Sequence, residues 1–137
     1  MVTTAPVDWT TLRQKAKAAA EHAYAPYSGL KVGASGLMDG EVYVTGCNVE
    51  NASFGLTLCA ECGLVSDMYR LGGGSLSAIS VVDQQGTLLW PCGRCRQLLS
   101  EVGASGLLVD AIERPVRLDS ILPNAFGAQD LPAGEAE

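Results

Sequence analysis

Apolar residues recur at spacings of three and four from Trp9 through Leu12, Ala16, Ala19 and Ala20 to Ala23, the period of one helical face. Asp8 offers an N-cap and Pro26 forbids continuation, so the pattern predicts a helix over about 8–24. The period then shortens. LKVGASGLMDGEVYVTGCNVE (30–50) has two short apolar runs around Asp39-Gly40, a dipeptide suited to the positive φ angles of a tight hairpin, and it predicts two antiparallel strands. Helical spacing returns from Leu58, with Leu64, Val65, Met68 and Leu71 on one side, and stops at Gly72-Gly73-Gly74. LSAISVVD (76–83) reads as a buried strand, and TLLW (87–90) as a shorter one after the Gln84-Gln85-Gly86 turn. A third helix is expected from about Cys92 to Val102, closed by Gly103, before a last strand in GLLVDAI (106–112).

The order α-β-β-α-β-β-α-β describes an α/β chain whose sheet is layered with helices. At 137 residues and 47% hydrophobic, one compact domain with its own core is expected over 1–137, with a loose tail rich in Gly, Ala and acid after Phe126. The first thirty residues contain no continuous apolar run, so neither a secretory leader nor a membrane span is expected, and the location is read as cytoplasmic. Net charge is -6, with nine scattered Lys and Arg, which opposes a phosphate backbone and disfavours a nucleic-acid partner. Five cysteines in a reducing compartment read as thiols free for metal or catalysis rather than as a disulfide framework.

Cys92 and Cys95 form C-x2-C directly after Pro91, at a strand-to-helix junction, and Cys59 opens the preceding helix. If the two helix starts lie side by side, three thiols converge. A catalytic zinc typically takes three protein ligands and leaves its fourth position to water, and helix N-termini favour thiolate over thiol. Glu61, two residues beyond Cys59, is then better placed beside a metal than on it, where a carboxylate serves as general acid and base. The same residues admit plainer readings. A lone helical cysteine is often a small buried hydrophobe. A closed structural zinc site would need a fourth ligand from Cys47 or Cys62, because His22, the one histidine, reads as solvent-facing. Cys92 and Cys95 alone would suit a thioredoxin-like dithiol.

CAE (59–61) followed by PCGRCRQ (91–97) resembles the zinc deaminase signature in its all-cysteine form. AYAPYSGLKVGA (23–34), GCNVENAS (46–53) and ILPNAFG (121–127) narrow the resemblance to the small cytidine deaminases that act on free nucleosides, over about residues 8–127. That resemblance implies a three-layer αβα domain around a five-stranded mixed sheet. It also implies a homotetramer with one Zn2+ per subunit, and conversion of cytidine and deoxycytidine to uridine and deoxyuridine in pyrimidine salvage. Carried onto this sequence, it makes Cys59, Cys92 and Cys95 the zinc ligands and Glu61 the proton shuttle. The backbone of Ala60 and Cys92 would address the pyrimidine, Asn48 and Glu50 the ribose hydroxyls, and Tyr27 and Leu30 the pocket wall, while Phe126 would stack on the base in a neighbouring subunit's site.

The residues agree in part. An amide and a carboxylate together offer donor and acceptor to a diol, although Asn48 and Glu50 read equally well as caps of a turn. Two positions depart from the family. Leu30 stands where many relatives carry a large aromatic, and Cys62 replaces an arginine that would offset three thiolates. Compensation is expected from the two helix N-termini, with Arg94 or Arg96 donating to the thiolates. Alternatives are a deaminase of another aminopyrimidine, an aminopurine or a nucleoside antibiotic, and a non-catalytic zinc-binding module.

Overall fold

The computed structural model describes residues 6–133. Asp8 caps the first helix, its Oδ1 accepting the Thr11 N–H at 3.0 Å and its Oδ2 the Thr11 hydroxyl at 2.7 Å. This helix, α1, runs Trp9–Ala20 and buries Leu12, Ala16 and Ala20. It ends at Ala20 and not at 24, because the backbone of Tyr24 pairs with another segment. The Tyr24 N–H donates to the Asn48 carbonyl at 3.1 Å, and the Tyr24 carbonyl accepts from the Glu50 N–H at 2.8 Å. Groups committed there cannot also continue a helix.

β1 (Val32–Met38) and β2 (Val42–Cys47) form the expected hairpin, turning on Asp39 and Gly40, whose φ angles are 54° and 76°. α2 spans Ala60–Arg70, and the Gly73 N–H closes its end on the Met68 carbonyl at 2.9 Å. β3 (Leu76–Asp83), α3 (Gly93–Val102) and β4 (Gly103–Val109) follow.

The strand expected over 87–90 does not form. β4 leaves β3 at Ile79, so the chain folds back onto the exposed end of β3 through one bridge, Val82 to Leu88. Pro91 then removes the N–H that a longer ladder would need. The fifth strand is instead β5 (Val116–Arg117), followed by α4 (Leu118–Ile121). Both are too short to show a period in sequence. At the start of the C-terminal tail, Ala128–Asp130 forms a 3₁₀ turn; residues 134–137 lie outside the described residues.

The sheet order is β2-β1-β3-β4-β5, with β3 and β4 parallel and the other neighbours antiparallel. This is the five-stranded mixed sheet that the family resemblance implies. Two glycines show how the layers stack. A Cβ on Gly33 would lie 1.8 Å from the Ala16 carbonyl oxygen of α1, and one on Gly46 would lie 2.3 Å from the Ala60 oxygen and the Leu64 nitrogen of α2. Gly33 pairs with Cys47 and Ala34 with Gly46, so alternation puts these contacts on opposite faces. α1 therefore covers one face, and α2 with α3 the other, making three layers. The core between sheet, α2 and α3 is built on Leu64, Met68, Leu76, Ile79, Leu99 and Val109.

A polar clasp ties α1 to the sheet on the other side. Arg13 forks onto fully buried Asp110 at 2.7 and 2.8 Å, and the Ser80 hydroxyl donates to the same carboxylate at 2.9 Å.

Candidate active site

Two helix starts meet. Cys59 is the N-cap of α2, and Cys92 the N-cap of α3, both in extended backbone, while Cys95 is buried in the first turn of α3. The segment before Cys59 is held to the segment after β2 by a reciprocal pair of hydrogen bonds between Val49 and Leu58, both 2.9 Å. The close approach at Gly46 seats α2 directly on the strand beside it. Pro91 is buried ahead of Cys92, and its carbonyl accepts from Arg96 Nε at 2.8 Å while Arg96 Nη1 reaches the Ile121 carbonyl at 3.0 Å. Arg94 Nη1 donates to the Thr57 carbonyl at 3.2 Å.

Neither arginine bonds a thiol, which corrects the expectation that one of them compensates the cysteines by direct hydrogen bonds. Arg94 and Arg96 each lie about 100° around the helix from Cys95, and they brace the backbone on which the cysteines sit.

The sulfurs of Cys59, Cys92 and Cys95 all lie within 4.8 Å of one another, with Cys59 Sγ to Cys92 Sγ at 3.9 Å. Zn–S bonds of about 2.3 Å at tetrahedral angles require sulfurs about 3.8 Å apart, so the residues fit a zinc ion with a fourth position open. Among the described residues, no fourth cysteine joins this group. Cys62, in the first turn of α2, and Cys47, at the end of β2, both lie outside it.

Crowding sets the protonation of the thiols. Burial first, then the charge of Glu61, pushes the Cys95 thiol far above its ordinary range. Burial, with the nearby charges of Cys92 and Glu61, also raises Cys59. Cys92 moves down, because bonds from the Cys95 N–H and the neighbouring thiols outweigh its burial. Three thiols so arranged lose their protons together only against a cation.

Glu61, in the first turn of α2, is 3% exposed. The helical-wheel separation from Cys59 does not apply strictly, because Cys59 is a cap with ψ at 161°; the result is a carboxylate beside the thiols and outside the ligand group. A cleft of about 360 Å³ opens over this corner and is lined by Leu30, Asn48, Cys59, Ala60, Glu61 and Cys92, along with Val32, Thr57, Val81, Leu89 and Trp90.

Tyr27 and Glu50 line an adjoining recess with Phe54, and Thr57 borders both spaces. Phe126 lies on neither. It is 59% exposed on a separate surface beside Gln97, whose Nε2 donates to its carbonyl at 2.7 Å.

Asn48 and Glu50 also hold backbone. The Asn48 amide accepts the Val32 N–H at 2.8 Å and donates to the Leu30 carbonyl at 2.9 Å. Glu50 accepts the Ser28 hydroxyl and the N–H groups of Ser28 and Tyr27. Those bonds, that of the Ser28 hydroxyl foremost, hold its carboxyl below the ordinary range. The turn-capping reading is thus observed, and it leaves the Asn48 side chain on the cleft. Sequence reasoning missed Thr57, Leu89 and Trp90. The position of Trp90 next to PCGRC was the available signal.

Residues 8–110 match the family model described as cytidine and deoxycytidylate deaminase zinc-binding region. Over 126 residues the chain is 56% identical to the cytidine deaminase of Mycobacterium tuberculosis, covering 92% of this chain and 95% of the relative. A crystal structure of that enzyme superposes with a TM-score of 0.87, covering 89% of this chain and 99% of the other. The crystal structure of cytidine deaminase from Mycobacterium leprae, 46% identical, gives 0.84 over 87% of this chain and 100% of that one. With three convergent thiols, a buried glutamate beside them and a cleft above, the chain belongs to the cytidine and deoxycytidylate deaminase zinc-binding family.

Proposed function

We propose that this protein is a zinc-dependent hydrolase that converts cytidine and 2′-deoxycytidine to uridine and 2′-deoxyuridine with release of ammonia, in pyrimidine salvage in the cytoplasm. The observation that carries this reading is Glu61: a carboxylate, nearly inaccessible, at the rim of a three-thiol group that leaves a fourth position open. A closed structural zinc site has no use for such a group, and a dithiol redox site has no use for Cys59.

Cys59, Cys92 and Cys95 would hold the zinc, which when bound supplies Lewis-acid activation of a water. Glu61 accepts one proton of the attacking water and returns it to ring N3, then takes the second from the hydroxyl newly bonded to C4 and passes it to the departing amine as the C4 carbonyl forms, so one carboxylate serves alternately as base and acid. Its burial keeps bulk water from competing for that proton. The backbone of Ala60 and Cys92 addresses the edge of the pyrimidine, Leu30 and Tyr27 wall the site, and Asn48 and Glu50 meet the sugar hydroxyls. For Glu50 this means a carboxylate already fixed by three donors from Tyr27 and Ser28, so its direction toward the sugar is set before binding.

In this reading the enzyme is one catalytic domain assembled as a homotetramer, and Phe126 completes the pocket of a neighbour. Its exposure, and its place outside the lining of its own chain's cleft, support that role. Among the described residues no helix is long and apolar enough to cross a membrane. The experiment is direct: purified protein is mixed with cytidine, and loss of cytosine absorbance is followed alongside zinc content. Turnover with about one zinc per chain supports the reading; stoichiometric zinc without turnover of any aminopyrimidine nucleoside defeats it.

A further inference from the structure

Among the residues lining the 360 Å³ cleft, Trp90 is the sole aromatic. Its aliphatic companions, Leu30, Val32, Val81 and Leu89, offer no flat face. The backbone that carries Trp90 is fixed on both sides. Before it, the Leu89 N–H donates to the Val81 carbonyl at 2.9 Å. After it comes buried Pro91, whose φ is locked by its ring and whose carbonyl is held by Arg96 at 2.8 Å. Cys92 follows immediately. The indole is nevertheless 54% exposed, so a large apolar surface stands in water next to the thiol group, on a support with little freedom to fold it away.

A planar, neutral heterocycle in the cleft would cover that surface and gain the stacking or edge-to-face contact that aromatic rings prefer. We propose that Trp90 is a specificity-determining residue, its indole forming the wall against which the pyrimidine ring of the nucleoside lies. This rests on the deaminase reading above and deepens it by naming the group that recognises the flat base. Trp90 binds the face of the ring, while proton transfer stays with Glu61. Its loss therefore weakens binding and leaves the chemical step largely intact.

The chain has two tryptophans, and Trp9 lies at the first position of α1, so Trp9→Phe leaves Trp90 as the only indole reporter. Zinc-loaded Trp9→Phe protein is titrated with uridine, the product, which is not consumed. A saturable change in emission is expected, with a midpoint matching the uridine concentration that half-inhibits cytidine turnover. Trp90→Ala should raise KM for cytidine roughly ten- to one-hundred-fold, as expected from the worth of one base–aromatic stack. Its kcat should stay within about threefold and its zinc content unchanged, and Trp90→Phe should restore most of the loss.

The proposal is overturned if Trp90 emission ignores uridine while uridine still inhibits, if Trp90→Ala leaves KM unaltered, or if that variant loses zinc, which would make the residue structural. Those outcomes leave the deaminase reading standing. Absence of cytidine turnover in the wild-type protein brings down that reading, and the wall assignment with it.

Discussion

The sulfurs of Cys59 and Cys92 lie 3.9 Å apart although the residues are 33 positions apart in sequence, because each is the N-cap of a helix and the two helices start side by side on one face of the sheet. Both thiols face the space between the helices, where the Cys95 sulfur joins them. Removing one should open the group. Cys95→Ser is expected to lower zinc affinity by more than roughly 100-fold, beyond what loss of an outer-shell partner costs. Cys47→Ser and Cys62→Ser should keep full zinc stoichiometry. Metal analysis after dialysis against a graded chelator series checks both, and zinc loss in either of the latter two would show a fourth protein ligand.

Glu61→Gln retains the shape of the side chain but cannot accept a proton. Zinc should stay at about one per chain while kcat falls by about 10²–10⁴-fold, the usual range for general acid–base catalysis. Single-turnover kinetics with parallel metal analysis makes the comparison. A variant that loses zinc instead would identify Glu61 as a ligand.

Glu50 gives a pH-dependent signature. Its folded carboxyl titrates below the ordinary value, chiefly through the Ser28 hydroxyl. The ordering it provides is therefore fully present above the ordinary glutamate range and is lost as pH falls through the lowered folded value. The amides of Tyr27 and Ser28, which donate to Glu50 at 2.9 and 3.1 Å, should lose exchange protection in that acid window. Glu50→Gln should show weakened protection already at neutral pH. Amide exchange by NMR reads this; protection in the variant equal to wild type at all pH values would contradict it.

Arg13 and Asp110 make a different kind of prediction, because the clasp lies away from the cleft. Arg13→Ala leaves the fully buried Asp110 carboxylate with Ser80 as its remaining side-chain donor. The guanidinium is 44% exposed, which reduces the loss below that of a wholly buried pair, to about 2 kcal/mol. Denaturant unfolding of the zinc-loaded protein should show the drop in midpoint at unchanged KM for cytidine.

If Phe126 serves a neighbour's pocket, activity divides between chains. Glu61→Gln and Phe126→Ala proteins, each impaired alone, should regain cytidine turnover after subunit exchange, because some hybrid pockets combine an intact Glu61 with an intact Phe126 from the adjoining chain. Turnover in the mixture no higher than in the two parents would assign Phe126 to its own subunit.

Much of this molecule was legible because its signals are local. Asp8, Asp39-Gly40 and Gly72-Gly73-Gly74 act through bonds and dihedral preferences within a few residues, so the helix start, the hairpin and the helix stop were all visible in sequence. The thiol group was legible too, since C-A-E and P-C-G-R-C carry both ligand spacing and the placement of each motif at a helix start. What sequence could not decide was set by competition between distant segments. Whether Tyr24 stays helical depends on Asn48 and Glu50, which claim its backbone. Residues 87–90 have strand composition yet form only one bridge, because β4 diverges from β3 at Ile79 and leaves a short edge to pair with. Arg94 and Arg96 sit beside the ligands in sequence, but helical geometry turns both toward backbone carbonyls. Trp90 carries no periodic signal, and only the folded arrangement of β3, Pro91 and α2 shows that its ring borders the cleft, since a cleft is made of surfaces that meet from separate parts of the chain.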